Sequence, residues 1–141
     1  MTAPIPPEGY SPHFRKSGFT TPWEPLFSRI GDDDVSIGVF VDEAHCNSRN
    51  VAHGAFIAAL ADNSMGLSCG ESLRKDGRVV SSLETVTLTT DYIAKARIGD
   101  WVTVHCSVVD TGEELAFASC IVKANDEILA RSNATYRINK G

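Results

Sequence analysis

Residues 47–70 read Asn47-Ser-Arg-Asn-Val-Ala-His53-Gly54-Ala-Phe-Ile-Ala-Ala-Leu-Ala-Asp62-Asn-Ser-Met-Gly-Leu-Ser-Cys-Gly70. A polar loop runs into His53-Gly54, and an apolar, helix-like run follows. The spacing predicts a helix from Gly54 to about Gly70, where a glycine is a natural C-terminal stop. At 100° per residue, Phe56, Leu60 and Leu67 fall within about 40° of one another, with Ile57 nearby. That stripe should face the core. Asp62 lies on another side among Ala58, Ala59, Gly66 and Cys69, all small. A carboxylate in such a trough is costly to bury unless something pairs with it or uses it. A solvated helix face would carry Lys, Glu and Arg instead, and this stretch carries none after Arg49.

On either side of this helix the period changes from 3.6 to 2. Upstream, Val35, Ile37, Val39 and Val41 alternate with Ser36, Gly38 and Phe40, which predicts a strand with one buried face. Downstream, residues 71–78 read as a charged loop with an Asp-Gly turn. Val79 to Ile93 then reads as a long strand, with Val80, Ser82, Glu84, Val86, Leu88, Thr90 and Tyr92 on one face. Ile98-Gly99-Asp100 is a turn, and Val102, Val104, Cys106 and Val108 form the next inward row. Asp110-Thr111-Gly112 leads into Leu115–Ala124, Asn125-Asp126 is a tight hairpin candidate, and Ile128–Ile138 closes the sheet. The chain is therefore α+β, a long helix against an antiparallel sheet, with the folded domain assigned to residues 35–141.

Residues 1–34 read as an N-terminal arm. Pro4, Pro6, Pro7, Pro12 and Pro22 with Gly9 and Gly18 exclude a long regular element. Tyr10, Phe14, Phe19 and Trp23 are suited to pinning the arm to a surface, and Trp23–Ile30 suggests a short helical turn. Asp32-Asp33-Asp34 is read as a solvated turn, since adjacent carboxylates diverge and no further metal ligands are evident.

Composition narrows the function. The 141 residues suit one domain with a real core. A formal net charge of −5 argues against a general binder of nucleic acid or anionic membrane. No apolar run approaches the ~20 residues of a membrane span, and the N-terminus lacks a secretory pattern. Cys46, Cys69, Cys106 and Cys120 are scattered, with no close pair in sequence and no metal-ligand spacing, which predicts reduced thiols in a cytoplasmic protein. No dinucleotide loop, P-loop or nucleophile elbow occurs. His45 and His105 have no ligand spacing and are expected to be structural or exposed. No metal or cofactor is expected.

Asn47-x5-His53-Gly54, with Asp62 nine residues after the histidine, resembles the hotdog-fold acyl-CoA thioesterases, and within them the PaaI-like group. Thr87-Leu-Thr-Thr-Asp-Tyr92 and Ala96-Arg-Ile-Gly-Asp-Trp101 resemble that group's second strand and turn. The likeness covers about residues 35–138. One departure is Ala55, where many members have a second glycine. The resemblance implies a helix wrapped by the sheet, homodimers that often pair into homotetramers, and active sites at the subunit interface.

It also implies roles. The Gly54 amide, at a helix N-terminus, would polarise the thioester carbonyl. Asp62 would act as general base or as nucleophile. Asn47 would help place carbonyl or water, and His53 would fix the turn. Ala55 would border the thioester. A hydroxyl from the strand after the helix often assists, with Thr85 the first candidate and Ser81 and Ser82 open. Arg74, Lys75 and Arg78 after the helix, or Lys95 and Arg97 after the next strand, are candidates for coenzyme A phosphates, although solvated loop charges look the same in sequence. A hotdog hydratase or dehydratase fits the nine-residue spacing poorly. A non-catalytic acyl-CoA binder is the other alternative.

Overall fold

The computed structural model describes residues 3–140. Met1, Thr2 and Gly141, which the two assigned regions include, lie outside the described residues. Among the described residues a single α-helix, α1 (Gly54–Lys75), packs against one antiparallel sheet. The strands are β1 (Ser11–Pro12), β2 (Phe27–Ile30), β3 (Val35–Phe40), β4 (Ser82–Tyr92), β5 (Trp101–Thr111), β6 (Leu115–Ala124) and β7 (Glu127–Asn139). Their order across the sheet is β1-β2-β3-β5-β6-β7-β4. The strand that follows the helix thus returns to the far edge and, among the described residues, pairs only with β7.

The helix runs five residues past Gly70, to Lys75, so the expected charged loop begins with helix. Gly70 does not stop it because Leu73, one turn further on, is fully buried and holds the last turn on the core. The core joins Phe56, Ile57, Leu60, Met65 and Leu73 of α1 to Ile37, Val39, Val102, Val104 and Val122 of the sheet. Leu67, expected in the same stripe, is only partly buried against it.

The arm differs most from its sequence reading. Trp23–Ile30 is not a helical turn: a 3-10 turn spans Thr21–Trp23, and Phe27–Ile30 pairs with β3. Residues 11–12 and 27–30 therefore extend the sheet of the main domain across the assigned boundary at residue 34. The aromatics do pin the arm to its own chain. The Tyr10 ring meets Trp101 edge-on at 5.2 Å and its hydroxyl pairs with Ser36 Oγ at 2.7 Å. Trp23 meets Phe56 at 5.0 Å. This covering buries Ser36 and Gly38 as well, so β3 is buried on both faces rather than one. Gly38 is required there, because a Cβ would sit 2.5 Å from the Trp101 ring.

His45 is the knot between arm and helix. Its Nδ1 accepts from the Asp42 amide at 2.9 Å, and its Nε2 donates to the Trp23 carbonyl at 2.8 Å. Its ring stacks on Phe56 at 4.3 Å, and its carbonyl accepts from the His53 amide. Asn125 and Asp126 both have positive φ, 48° and 74°, as the tight β6–β7 hairpin demands.

Across β5 and β6, the register sets Cys106 directly opposite Cys120, a pairing invisible in the sequence spacing. Both are free thiols, as are Cys46 and Cys69. Burial pushes the Cys69 thiol up to about 12.

His45→Ala would leave the Trp23 carbonyl and Asp42 amide without partners. We expect it to lower the unfolding free energy by about 2–4 kcal/mol and to expose the arm to limited proteolysis. Urea titration and timed trypsin digestion measure both effects.

Candidate active site

Asp62 sits in mid-helix, half-buried, and its carboxylate is held on one side only. Thr85 Oγ1 donates to Oδ1 at 2.9 Å. The Tyr136 hydroxyl donates to the same Oδ1 at 2.9 Å and to the Asp62 carbonyl at 2.8 Å. No hydrogen bond among the described residues uses Oδ2. Two donors on one oxygen fix the carboxylate plane and leave the other oxygen available to solvent or substrate. Tyr136 is buried, and burial first, then the Asp62 charge, pushes its phenol far above the ordinary tyrosine range. It therefore stays protonated and serves as a donor.

The trough of small residues explains how Tyr136 gets there. Its ring lies 3.5 Å from where a Gly66 Cβ would stand. Part of the space expected to admit a ligand or a second chain is thus filled by this chain's own last strand.

Thr85 reaches Asp62 because of a β-bulge. The β4–β7 register shifts between Thr85 and Thr87. The single-face assignment for residues 80–92 therefore fails at Val86. Leu83 and Thr85 before the bulge, and Leu88, Thr90 and Tyr92 after it, share the helix-facing side, each opposite an inward residue of β7. An extra residue in one strand re-aims the side chains on either side of it.

The second half of the candidate machinery lies at the helix start. His53 is the N-cap, and its Nδ1 accepts from the Ala55 amide at 3.0 Å. The geometry gives this histidine a turn-fixing role. No hydrogen bond among the described residues uses the Gly54 amide. The Tyr92 hydroxyl donates to the Gly54 carbonyl at 2.6 Å, and a Cβ on Gly54 would lie 3.2 Å from the Tyr92 ring. Glycine here leaves room for that ring. Asn47 uses its Oδ1 on the amides of Arg49 (2.9 Å) and Val51 (3.3 Å), shaping the loop before the helix.

A cleft of about 1140 Å³ opens beside Asp62, lined among others by Gly66, Leu83, Thr85 and Tyr136. Ser81, Ser82, Arg74 and Arg78 lie on it; Ala55, Lys75, Asn47, His53, Gly54, Lys95 and Arg97 do not. Ser81 donates to the Asn139 carbonyl at 3.1 Å, and Ser82 accepts from Asn139 Nδ2 at 3.0 Å, so both tie β4 to β7. The Arg78 guanidinium donates to the carbonyls of Gly112 (2.6 Å) and Glu113 (3.0 Å), and Arg74 pairs with Glu71. Among the described residues, no His, Cys, Asp and Glu cluster is placed to hold a metal ion, and no helix is long and apolar enough to cross a membrane.

Residues 49–130 match the thioesterase superfamily. The chain belongs to that superfamily. A candidate esterase of Pseudomonas aeruginosa is 32% identical over 133 residues, spanning 94% of this chain and 96% of its own. The phenylacetic acid degradation protein PaaI of Thermus thermophilus, solved as a mutant, superposes with a TM-score of 0.68 at 19% identity, covering 79% of this chain and 91% of its own. A hypothetical thioesterase of Streptococcus pneumoniae, solved with coenzyme A, superposes at 0.73 and 15% identity, covering 84% and 93%. This thioesterase therefore has the PaaI-like hotdog fold and is a thioester hydrolase.

Sequence reading missed both tyrosines as parts of the site. Tyr92 was legible only within a motif, and Tyr136 only as an inward position of the last strand. Tyr136→Phe should leave the fold intact but cost about 1–2 kcal/mol of stability, the range of one or two hydrogen bonds to a polar partner. Urea denaturation of the variant beside the parent checks it.

Proposed function

We propose that this thioesterase hydrolyses acyl-CoA to a free carboxylic acid and coenzyme A, in active sites completed by two copies of the chain. The observation that carries the second half is a distance. Gly54 and Asp62 are eight residues apart on one helix, or about 12 Å. Reacting atoms must approach to about 3–3.5 Å. A thioester carbonyl held by the Gly54 amide of one copy is therefore out of reach of that copy's Asp62 and needs the Asp62 of another. The exposed edge strand β4 supports such pairing. Among the described residues it has only one neighbour, and Val86, Leu88, Tyr92 and Ile93 leave apolar surface uncovered along it.

In this reading Asp62 Oδ2 takes a proton from water, and the water oxygen attacks the thioester carbon. The oxyanion that forms is met by the Gly54 amide, aided by the helix N-terminus. Collapse breaks the carbon–sulfur bond, and the thiolate recovers the proton. Thr85 and Tyr136 hold the base in place. Coenzyme A bound to a structural relative supports the carrier, and Arg78, whose guanidinium meets carbonyl oxygens, supplies positive charge along the cleft, with Arg74 beside it in its pair with Glu71. A homodimer is the smallest assembly that completes a site; a homotetramer would pair two of them.

Asp62→Asn should keep the oligomer and lose at least about 100-fold in kcat, read as thiol release from phenylacetyl-, benzoyl-, hexanoyl- and palmitoyl-CoA. Near-parental rates would sink the assigned mechanism. Parental protein that binds these thioesters without turnover would point to a binding protein instead. A single turnover in ¹⁸O-water should place the label in the product acid; label in Asp62 would make it the nucleophile.

A further inference from the structure

The cleft beside Asp62 has two unlike walls. One is α1 with β4 and β7. The other is the N-terminal arm, which contributes His13, Phe14, Arg15, Lys16, Ser17 and Thr20. The match to the superfamily begins only at residue 49, so this wall is a feature of the chain outside the matched region.

His13 is the unusual residue on it. It is only 4% exposed, yet its Nδ1 is buried without a hydrogen-bond partner. No hydrogen bond among the described residues uses either ring nitrogen. Its backbone is fixed, with the amide donating to the Leu26 carbonyl at 2.9 Å, and its ring rests against Phe14 at 4.9 Å. A buried polar atom without a partner is costly, and an apolar residue of the same shape would remove the cost. Nδ1 is shut off from the open cleft, whereas Nε2, which has no partner among the described residues either, is the nitrogen left to meet whatever fills the cleft that the ring lines. Burial favours the neutral imidazole, opposed by Glu24 and reinforced by Lys16 and Arg15. With one nitrogen facing the cleft, a neutral ring presents a donor or an acceptor according to its tautomer. An uncharged hydroxyl or amide can meet either, whereas a carboxylate or phosphate gains no opposite charge from it.

Building on the thioesterase reading of Asp62, we propose that His13 is a substrate-binding residue that hydrogen-bonds an uncharged hydroxyl or amide of the thioester. The arm is then part of the binding site. Two parts of an acyl-CoA carry such groups: a hydroxylated acyl chain, and the pantetheine arm with its amides and hydroxyl.

The test compares the parent, His13→Phe and His13→Gln. His13→Phe keeps the bulk and removes both nitrogens, while His13→Gln restores a polar atom near Nε2. Kinetics are run on matched acyl-CoAs with and without an acyl hydroxyl, and on thioesters of ethanethiol, which lack pantetheine. Binding of a non-hydrolysable thioether analogue of each acyl-CoA is measured by calorimetry. His13→Phe should raise KM and Kd about tenfold, the equivalent of ~1.4 kcal/mol, with kcat little changed, and His13→Gln should recover part of the loss. A loss confined to hydroxylated acyl groups identifies the acyl chain as the partner. A loss on every CoA thioester but not on ethanethiol esters identifies pantetheine. If the parent binds the analogues in a His13-dependent way but turns nothing over, the hydrolase reading fails and the site stands. Equal Kd in parent and His13→Phe, with both folded by circular dichroism, or no binding by either, overturns the proposal.

Discussion

An enclosed helix that carries hydroxyls and a carboxylate needs a partner for each of them, and that requirement shapes the rest of the molecule. Ser64 and Ser68 of α1 are fully buried. Ser64 Oγ donates to the Val35 carbonyl, and Ser68 Oγ accepts from the Val35 amide at 2.9 Å while donating to the Ser64 carbonyl at 2.7 Å. They serve the backbone of β3 at the point where β3 has left β5, since those two strands pair only from Gly38 to Phe40. The sheet can open around the helix because helix side chains satisfy the backbone groups it exposes in doing so. Asp62 is met in the same manner from the other side, by the last strand and the edge strand.

Much of this architecture is legible in the sequence, for reasons that differ by element. The strands from Trp101 to Ile138 show a period of 2 because one face is buried. The Asn125-Asp126 hairpin is legible because only a few residue types tolerate its positive φ. The helix is legible by its length and apolarity. Its end is not, because the burial of Leu73 outweighs the glycine at position 70. The arm strands at residues 11–12 and 27–30 escape sequence reading because they are short, and the first contains Pro12. Their pairing depends on contacts such as Tyr10 with Trp101, far away in sequence.

The site divides along the same line. Asp62, His53 and Gly54 announce themselves by residue type, position and spacing within one continuous stretch. Tyr136 lies 74 residues from Asp62 and is marked by nothing but its parity. Thr85 could be singled out by its distance from Tyr92, but its orientation depends on a bulge that breaks the alternation on which strand reading rests. Arg78 looks in sequence like a ligand for phosphates, and in the fold its guanidinium holds the β5–β6 turn. Charge is visible in a sequence; what a charge is already occupied with is not.

The bulge at Val86 makes β4 a matter of counting. The strand's side chains hydrogen-bond the helix at Thr85, near its middle, and at Tyr92, at its start, and the shared orientation of the two depends on an odd residue between two runs of strict alternation. Seven positions separate the two residues, and strict alternation over an odd number would set them on opposite faces. The extra residue between them cancels that step, so both face the helix. Removing it would leave an even count and an unbroken ladder; adding a residue elsewhere in the span, with the bulge kept, would turn one of the two side chains outward. Spacing and bulge are therefore one constraint rather than two. The side chains at Thr87 and Thr89, which point away from the helix, are comparatively free to drift.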